Sequence, residues 1–248
     1  MDKLVYTAAT GLRARMAAQA AIANNMANAS TTGFRADRVV FDQIALKGGG
    51  TTLEARAPSS EEVTDADRRP GTVQQTGRPL DVALTGNDAW LAVQAPDGTE
   101  AYTRRGDLEV APSGVLQTGD GFIAMGGGGP ITLPPYKSLS IAGDGSISIV
   151  PVSGGEPQVV DRLKLASAKG SDTVKGLDNL LRVRGGGTLP ADLDAKLTGG
   201  ALEGSNVNMT QALVDMIENQ RSYEMTASLM KSAKDMDESG ASVMRLPT

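Results

Sequence analysis

Residues 3–29 read KLVYTAATGLRARMAAQAAIANNMANA, and this stretch decides most about the fold. Its apolar residues follow an alternating four-three spacing that is broken only at Gln19. They are Val5, Ala9, Leu12, Met16, Ala23 and Met26. The spacing predicts a long amphipathic helix with one narrow apolar seam, and such a seam packs against another helix, not against a broad core.

A second stretch with the same spacing lies at the other end of the chain, in residues 206–245. Its apolar seam is interrupted only at Gln220 and consists of Met209, Leu213, Met216, Tyr223, Ala227 and Met230. Asn208 lies three residues before Gln211, which is an Asn version of the capping box and predicts the start of this helix. Two such seams predict that the ends of the chain meet each other and also meet other subunits.

The middle of the chain has a different pattern, with short alternating segments separated by turn residues. Residues 90–94 are one such segment, and Gly-containing turns follow at 96–98 and 112–114. This pattern predicts an antiparallel sheet or a small barrel. Residues 47–69 are rich in Gly, Thr, Ser, Pro and charge without periodicity, which predicts an extended linker.

Composition excludes several classes of site. The 248 residues contain no Cys, so there is no disulfide and no thiolate metal site. They contain no His, which removes the commonest general base and the commonest metal ligand. The net charge of −5, without a basic run, argues against nucleic acid as a partner. Arg13 and Arg15 interrupt the first apolar stretch, so we expect neither a secretory signal nor a membrane span.

Three motifs that could carry chemistry are better explained as turns or linker. Residues 119–124 match a nucleotide-binding glycine pattern, but the Gly and Pro residues at 126–130 forbid the helix that the motif requires. Each Asp-Gly turn has a single carboxylate, too few for calcium; these turns contain Asp97, Asp120 and Asp144. The acidic residues at 61–67 lie in the expected linker. We therefore predict a non-enzymatic chain with no catalytic, cofactor-binding or metal-binding residues, and with no small-molecule substrate.

Several segments resemble the bacterial flagellar rod and hook proteins, here called the basal-body rod protein family. They are MDKLVYTA at 1–8, ANNMANASTTGF at 23–34, GRPLDVALTG at 77–86, EGSNVN at 203–208 and NQRSYE at 219–224. The match therefore touches both ends and the centre of the chain. The start of the chain and residues 230–235 are most similar to members of the proximal rod.

The resemblance implies an α+β fold in which the long N- and C-terminal helices pair as an axial, coiled-coil-like domain beside a central, mainly antiparallel β domain. The expected domains are an N-terminal axial helix at 1–34, an extended linker at 35–75, a β-rich outer domain at 76–200 and a C-terminal axial helix at 201–248.

The resemblance also implies a function, a location and partners. We expect a structural subunit of the proximal rod that polymerises through its terminal helices and helps to transmit torque to the hook and filament. The partners would be other rod subunits and, during secretion, the flagellar type III export apparatus, with no membrane insertion. The expected location is the rod within the periplasm, reached without a cleaved signal peptide. Two alternatives stay open: a distal rod or other axial protein, and a non-flagellar binding module dimerised through its helices.

The assembly interface is expected on the helix seams and on the segments that carry the resemblance. These residues are Val5, Leu12, Met16, Ile22, Asn24, Asn25, Met26, Asn28, Gly33, Phe34, Asn206, Asn208, Leu213, Met216, Ile217, Gln220, Tyr223 and Met230.

Overall fold

The structure is a computed structural model that describes residues 2–38, 43–45, 56–58 and 65–244. Two long helices lie near the ends of this range: α1 spans Asp2–Ala27 and α2 spans Met209–Met244. Both terminal helices expected from the apolar spacing are present. Of the linker expected at 35–75, residues 39–42, 46–55 and 59–64 lie outside the described residues.

The start of α2 follows the predicted cap. Asn208 Oδ1 accepts a hydrogen bond from Gln211 N at 3.1 Å, which satisfies one of the free N–H groups at the start of the helix. The Gln211 side chain does not return this bond, because its Nε2 donates to Asp215 Oδ1 at 2.8 Å. The cap at Asn208 is therefore confirmed, and the reciprocal half of the capping box is replaced by a bond along the helix.

The remaining elements are short strands, numbered β1 to β19 in chain order. Those before residue 120 are β1 Asp37–Arg38, β2 Gln43–Ala45, β3 Arg56–Pro58, β4 Asp65–Ala66, β5 Val73–Gln75, β6 Val82–Leu84, β7 Ala89–Gln94, β8 Glu100–Thr103, β9 Leu108–Val110 and β10 Leu116–Thr118. Those after it are β11 Ile123–Ala124, β12 Tyr136–Ile141, β13 Ser146–Pro151, β14 Gln158–Arg162, β15 Leu165–Ser167, β16 Thr173–Lys175, β17 Leu181–Val183, β18 Leu197–Gly199 and β19 Ala201–Glu203.

The largest sheet has eight strands in the order β16-β17-β8-β7-β11-β10-β9, with β15 paired to β7 outside this path. Its pairs are antiparallel, as between β7 and β8, where Ala92 lies opposite Tyr102. A three-stranded antiparallel sheet contains β12, β13 and β14. Three shorter antiparallel pairs join β5 to β19, β6 to β18 and β2 to β3.

Tight turns join several of these strands where the sequence predicts them. Gly98 and Gly114 have φ angles of 80° and 84°, in the left-handed region that glycine enters without steric cost. Gly98 N also donates to Ala95 O at 2.9 Å, which closes the turn between β7 and β8. The predicted turns at 96–98 and 112–114 are therefore confirmed.

The side chains of strand β7 are buried on both faces of the sheet. Successive side chains of a strand point to opposite sides, so they join two different clusters. Leu91 and Val93 join the main apolar core, together with Leu108. Trp90 and Ala92 join a second buried cluster on the other face. The sheet therefore has its own core on each side of its central strand.

The two helices contact each other through small and polar residues. Asn219 Nδ2 on α2 donates to Arg15 O at 2.9 Å and to Gln19 Oε1 at 2.8 Å on α1. A methyl group added at Gly11 would lie 3.8 Å from Thr226 Cγ2, so the helices also approach closely there.

The prediction of a coiled-coil-like pairing through the apolar seams is wrong, although the two helices and the antiparallel β region are compatible with an α+β fold. The seam positions Met16, Leu213 and Tyr223 are exposed. Among the described side chains, α2 buries Ala212, Asn219 and Ala233. The buried positions Ala212 and Asn219 each lie one residue before a position of the seam, and one residue turns a helix by about 100°. Larger apolar side chains of the seam are therefore left exposed. Small side chains allow the helices to approach, which favours this line.

The chain divides into two compact units. The helical unit contains residues 1–27, 37–64 and 208–248, and the β-rich unit contains residues 28–36 and 65–207. The domain boundaries expected from the sequence stay a prediction.

Candidate functional site

The helical unit carries a large set of exposed apolar side chains. On α2 they are Met209, Leu213, Val214, Ile217, Tyr223, Met225, Leu229 and Met236. Leu213 and Ile217 are four residues apart, as are Met225 and Leu229, so each pair lies on one face of the helix. Met16 on α1 is also exposed, with 60% of its surface accessible. A helix with apolar side chains exposed along its length is typical of a site of interaction with another macromolecule.

A groove of about 460 Å³ lies between α1 and α2 within this unit. Met16, Ala20 and Ala23 line it from α1, and Asn219 and Tyr223 line it from α2. Most of its wall is apolar, and Asn219 crosses its floor with the two hydrogen bonds to α1. The Oδ1 atom of Asn219 is buried and has no hydrogen-bond partner among the described residues.

The expected interface residues on the helices have unequal exposure. Those exposed are Met16, Asn24, Asn208, Leu213, Ile217, Gln220 and Tyr223. Those half-buried are Leu12, Ile22, Asn25, Met26, Met216 and Met230. Val5 lies in α1, and its side chain is outside the described residues. In the isolated chain, the exposed residues of this set are accessible to a partner molecule.

Two asparagines at the end of α1 bind the chain that follows. Asn25 Oδ1 accepts from Asp37 N at 2.7 Å, and Asn25 Nδ2 donates to Asp37 O at 3.0 Å. Asn24 Nδ2 donates to the Asp37 carboxylate. Within the helical unit these two amides therefore hold the start of β1 against the end of α1.

The other expected residues lie in the β-rich unit, where each makes contacts inside the chain. Gly33 N donates to Glu203 O at 2.7 Å, and the Gly33 φ of 68° suits glycine. Phe34 is buried, with Lys175 Nζ 3.8 Å from its ring centroid. Asn28 Oδ1 accepts from Thr31 Oγ1 at 3.1 Å.

Asn206 joins three segments of the β-rich unit through its side chain. Its Oδ1 accepts from Ala36 N at 2.7 Å, and its Nδ2 donates to Asp67 O at 3.0 Å and Arg69 O at 2.9 Å. An amide suits this place because it donates and accepts at once.

Sequence reasoning missed a buried ionic cluster in the β-rich unit. Arg35 Nη2 lies 2.6 Å from Glu203 Oε1, and Arg104 Nε lies 2.9 Å from Glu203 Oε2. All three side chains are at most 1% exposed. Gly71 N donates to Glu203 Oε1 at 2.8 Å, so the carboxylate binds groups from three distant segments. No spacing signal could have found this cluster, because its members are far apart in the chain.

Burial changes the acidity of Arg104 in this cluster. Burial lowers the pKa of Arg104 to about 10, Glu203 opposes the shift, and the neighbouring positive charge of Arg35 adds to it. Desolvating two guanidinium groups beside one carboxylate is unfavourable unless their hydrogen bonds are made. The cluster therefore fixes the fold of this unit at a cost in free energy.

The described residues offer no centre for metal chemistry. Within them, no group of three or more Asp or Glu side chains is placed to hold a metal ion. Neither described helix has an apolar stretch long enough to cross a membrane. The exposed apolar surface of the helical unit is therefore the strongest candidate site.

Three family models match successive parts of the chain. Residues 5–35 match "Flagella basal body rod protein", residues 83–149 match "Flagellar hook protein FlgE/F/G D1 domain", and residues 198–243 match "Flagellar basal body rod FlgEFG protein C-terminal". The first and third cover most of the two helices.

Curated relatives align along nearly the whole chain. The flagellar basal-body rod proteins FlgF of Salmonella typhimurium and Escherichia coli are each 40% identical over 245 residues, which cover 95% of this chain and 95% of theirs. The flagellar basal-body rod protein FlgG of Bacillus subtilis is 30% identical over 261 residues, covering 95% of this chain and 97% of its own.

Proposed function

The chain belongs to the flagellar basal-body rod protein family and is a structural subunit of the basal-body rod, and we propose that it serves in the proximal part of that rod, polymerising through its two terminal helices. Its similarity to FlgF supports the proximal assignment, since the identity is 40% to FlgF and 30% to the Bacillus FlgG over similar lengths. A distal position is the rival within the family.

The observation that carries the proposal is the apolar surface left exposed on the helices. Leu213, Ile217 and Leu229 are 46%, 54% and 60% accessible. Burying a Leu or Ile side chain fully contributes about 1.5–3 kcal/mol. Neighbouring subunits that cover this surface would gain that free energy, and an isolated chain cannot.

A rod built in this way needs contacts between subunits that repeat without closing into a dimer or a ring. Subunits related by a screw rotation repeat the same heterologous contact, so the assembly extends as a tube instead of ending as a dimer. The expected interface residues on α1 and α2 would form these contacts. Torque from the motor would then pass along the tube through packed helices toward the hook and filament.

The remaining features of the proposal follow from membership of the family. The chain would pass through the flagellar type III export apparatus, act in the periplasm without inserting into the membrane, and work without catalysis or cofactor. Its partners would be other rod subunits, not nucleic acid or a small molecule.

Electron microscopy of basal bodies from cells that lack this gene tests the proposal. Rods that stop near the inner-membrane ring, and that complementation restores, are the expected result. A rod that lacks only its outer section would move the assignment to the distal rod. Intact basal bodies that carry hooks would refute a role in rod assembly.

A binding module dimerised through its helices is the competing function, since the same exposed surface could close a dimer. Sedimentation velocity of the purified chain separates the two, because a tight dimer favours the module and a monomer favours the rod subunit.

A further inference from the structure

A small enclosed cavity lies inside the β-rich unit, next to the buried ionic cluster. Arg35, Trp90, Arg104 and Asn179 are among the residues that line it. Its volume of about 10 Å³, measured as space for the centre of a water-sized sphere, has room for one small ligand such as a water molecule or a monatomic ion. Neither the rod function nor the relatives assign any role to it.

Two residues that line this cavity carry unpartnered hydrogen-bond donors. Arg35 Nε, Arg35 Nη1 and Trp90 Nε1 are buried and have no hydrogen-bond partner among the described residues. Arg35 is 2% exposed and Trp90 is 3% exposed, so bulk water does not satisfy them. An unsatisfied buried donor is unfavourable, and more so when the group is charged.

Arg104 provides a comparison within the same cluster. Its Nε donates to Glu203, its Nη2 donates to Gly86 O at 2.7 Å, and its Nη1 donates to Ala89 O. Every nitrogen of that guanidinium is therefore bonded. Arg35 uses only Nη2, for its bond to Glu203, and leaves its other two nitrogens without a hydrogen-bond partner among the described residues.

We infer that this cavity binds one monatomic anion of the size of chloride, held by Arg35 Nε, Arg35 Nη1 and Trp90 Nε1. All three groups are donors, and an anion accepts from all of them without needing an acceptor in return. A water molecule would accept two of these bonds and would require acceptors for its own hydrogens. Arg35, Arg104 and Lys175 all line the cavity, and their positive charges favour a negative particle there.

The anion would complete the attachment of residues 33–36 to the sheet. Glu203 holds Arg35 from one side, and Lys175 Nζ donates to Arg35 O at 2.7 Å from another. The anion bridges Arg35 to Trp90 on β7 and so ties this segment to the central strand of the large sheet. Binding to the folded state alone then makes stability depend on chloride concentration.

Melting of the full-length purified chain in matched salts tests the inference. Replacing about 150 mM sodium gluconate by sodium chloride at constant ionic strength should raise the melting temperature by about 2–4 °C. Gluconate is too large for the cavity and serves as the reference. Equal melting temperatures in the two salts would overturn the inference.

Two variants separate the cavity from surface effects of salt. Trp90→Phe keeps an aromatic side chain and removes the Nε1 donor, so the chloride-dependent shift should fall by at least half. Tyr102→Phe removes a buried hydroxyl that donates to Glu100 Oε1 at 2.7 Å and does not line the cavity, so this variant should keep the full shift. A shift of wild-type size in Trp90→Phe would contradict the inference.

Crystals grown or soaked in sodium bromide give a direct answer. An anomalous peak within hydrogen-bond distance of Arg35 Nη1 and Trp90 Nε1 is expected. A full-occupancy water at that place, with no anomalous signal, would show that the donors bind solvent and would reject the anion.

Discussion

The β-rich unit has an extensive buried apolar core, whereas the large apolar side chains described on α2 of the helical unit are mostly exposed. In the β-rich unit Leu91, Val93 and Leu108 are completely buried. In the helical unit Leu213, Ile217 and Leu229 are exposed along α2. The first unit therefore completes its core within one chain, whereas the second leaves apolar surface for other molecules. The difference indicates that the β-rich unit forms a stable fold within one chain, whereas the helical unit provides contacts with other subunits.

The contrast between the two units predicts that the exposed side chains of α2 contribute to assembly and not to folding. Ile217→Asp should abolish rod assembly, since it places a charge in an apolar subunit contact, and it should change the free energy of unfolding by less than about 0.5 kcal/mol. Motility assays and electron microscopy of basal bodies measure the first effect, and circular dichroism of the purified variant measures the second.

Val159→Asp is the matched control for that variant. Val159 on β14 is 69% exposed and belongs to the β-rich unit, so it receives the same change from an apolar to an acidic side chain. Assembly should survive this substitution. If both variants abolish assembly equally, the contrast between the two units fails.

Glu203→Gln should cause the largest loss of stability in the β-rich unit. It leaves Arg35 and Arg104 buried without a carboxylate, which costs about 3–5 kcal/mol. Urea unfolding followed by the fluorescence of Trp90, the single tryptophan of the chain, measures the loss. Glu109→Gln, at an exposed carboxylate, should stay within about 0.5 kcal/mol of the wild type. Equal losses in the two variants would contradict the role of the buried cluster.

Leu91→Ala and Leu213→Ala compare the two units with the same chemical change. Removing the fully buried Leu91 should cost about 2–5 kcal/mol, because a cavity remains in the core. Removing the half-exposed Leu213 should cost no more than about 0.5 kcal/mol. Thermal unfolding by circular dichroism measures both, and a larger loss for Leu213 would show that the helical unit depends on a core of its own.

The smallest expected effect is a pH dependence at Asp178. Burial raises the pKa of this carboxyl, but its hydrogen bonds with Arg182 and Leu180 N outweigh burial and hold the pKa below its ordinary value of 3.8. A carboxyl with a lowered folded-state pKa stabilises the fold above its ordinary pKa and loses this contribution as the pH falls through the lowered value.

Asp178→Asn should therefore lower stability by less than about 1 kcal/mol at pH 7, since the pair with Arg182 is partly solvated. The difference from the wild type should shrink as the pH falls below 3.8. Denaturant melts between pH 7 and pH 2 measure it. A difference that grows in acid would refute the assignment of the shift to Asp178.

Local features of this fold could be predicted from the sequence because their causes lie within a few residues. The period of the apolar residues predicts both terminal helices, Asn208 caps α2, and Gly98 and Gly114 make turns between strands. The flagellar rod family could also be identified from its terminal segments. Each of these depends on neighbouring backbone geometry, which the order of residues determines directly.

Only the tertiary structure decides which residues meet across the chain. The face that α2 turns toward α1 is the line of Ala212 and Asn219, because close approach of two helices favours small side chains over the more apolar seam beside it. Glu203 contacts Arg35, which lies 168 residues earlier in the chain, and Arg104, which lies 99 residues earlier. No local pattern records such pairs, because they depend on how distant segments of the chain are placed side by side.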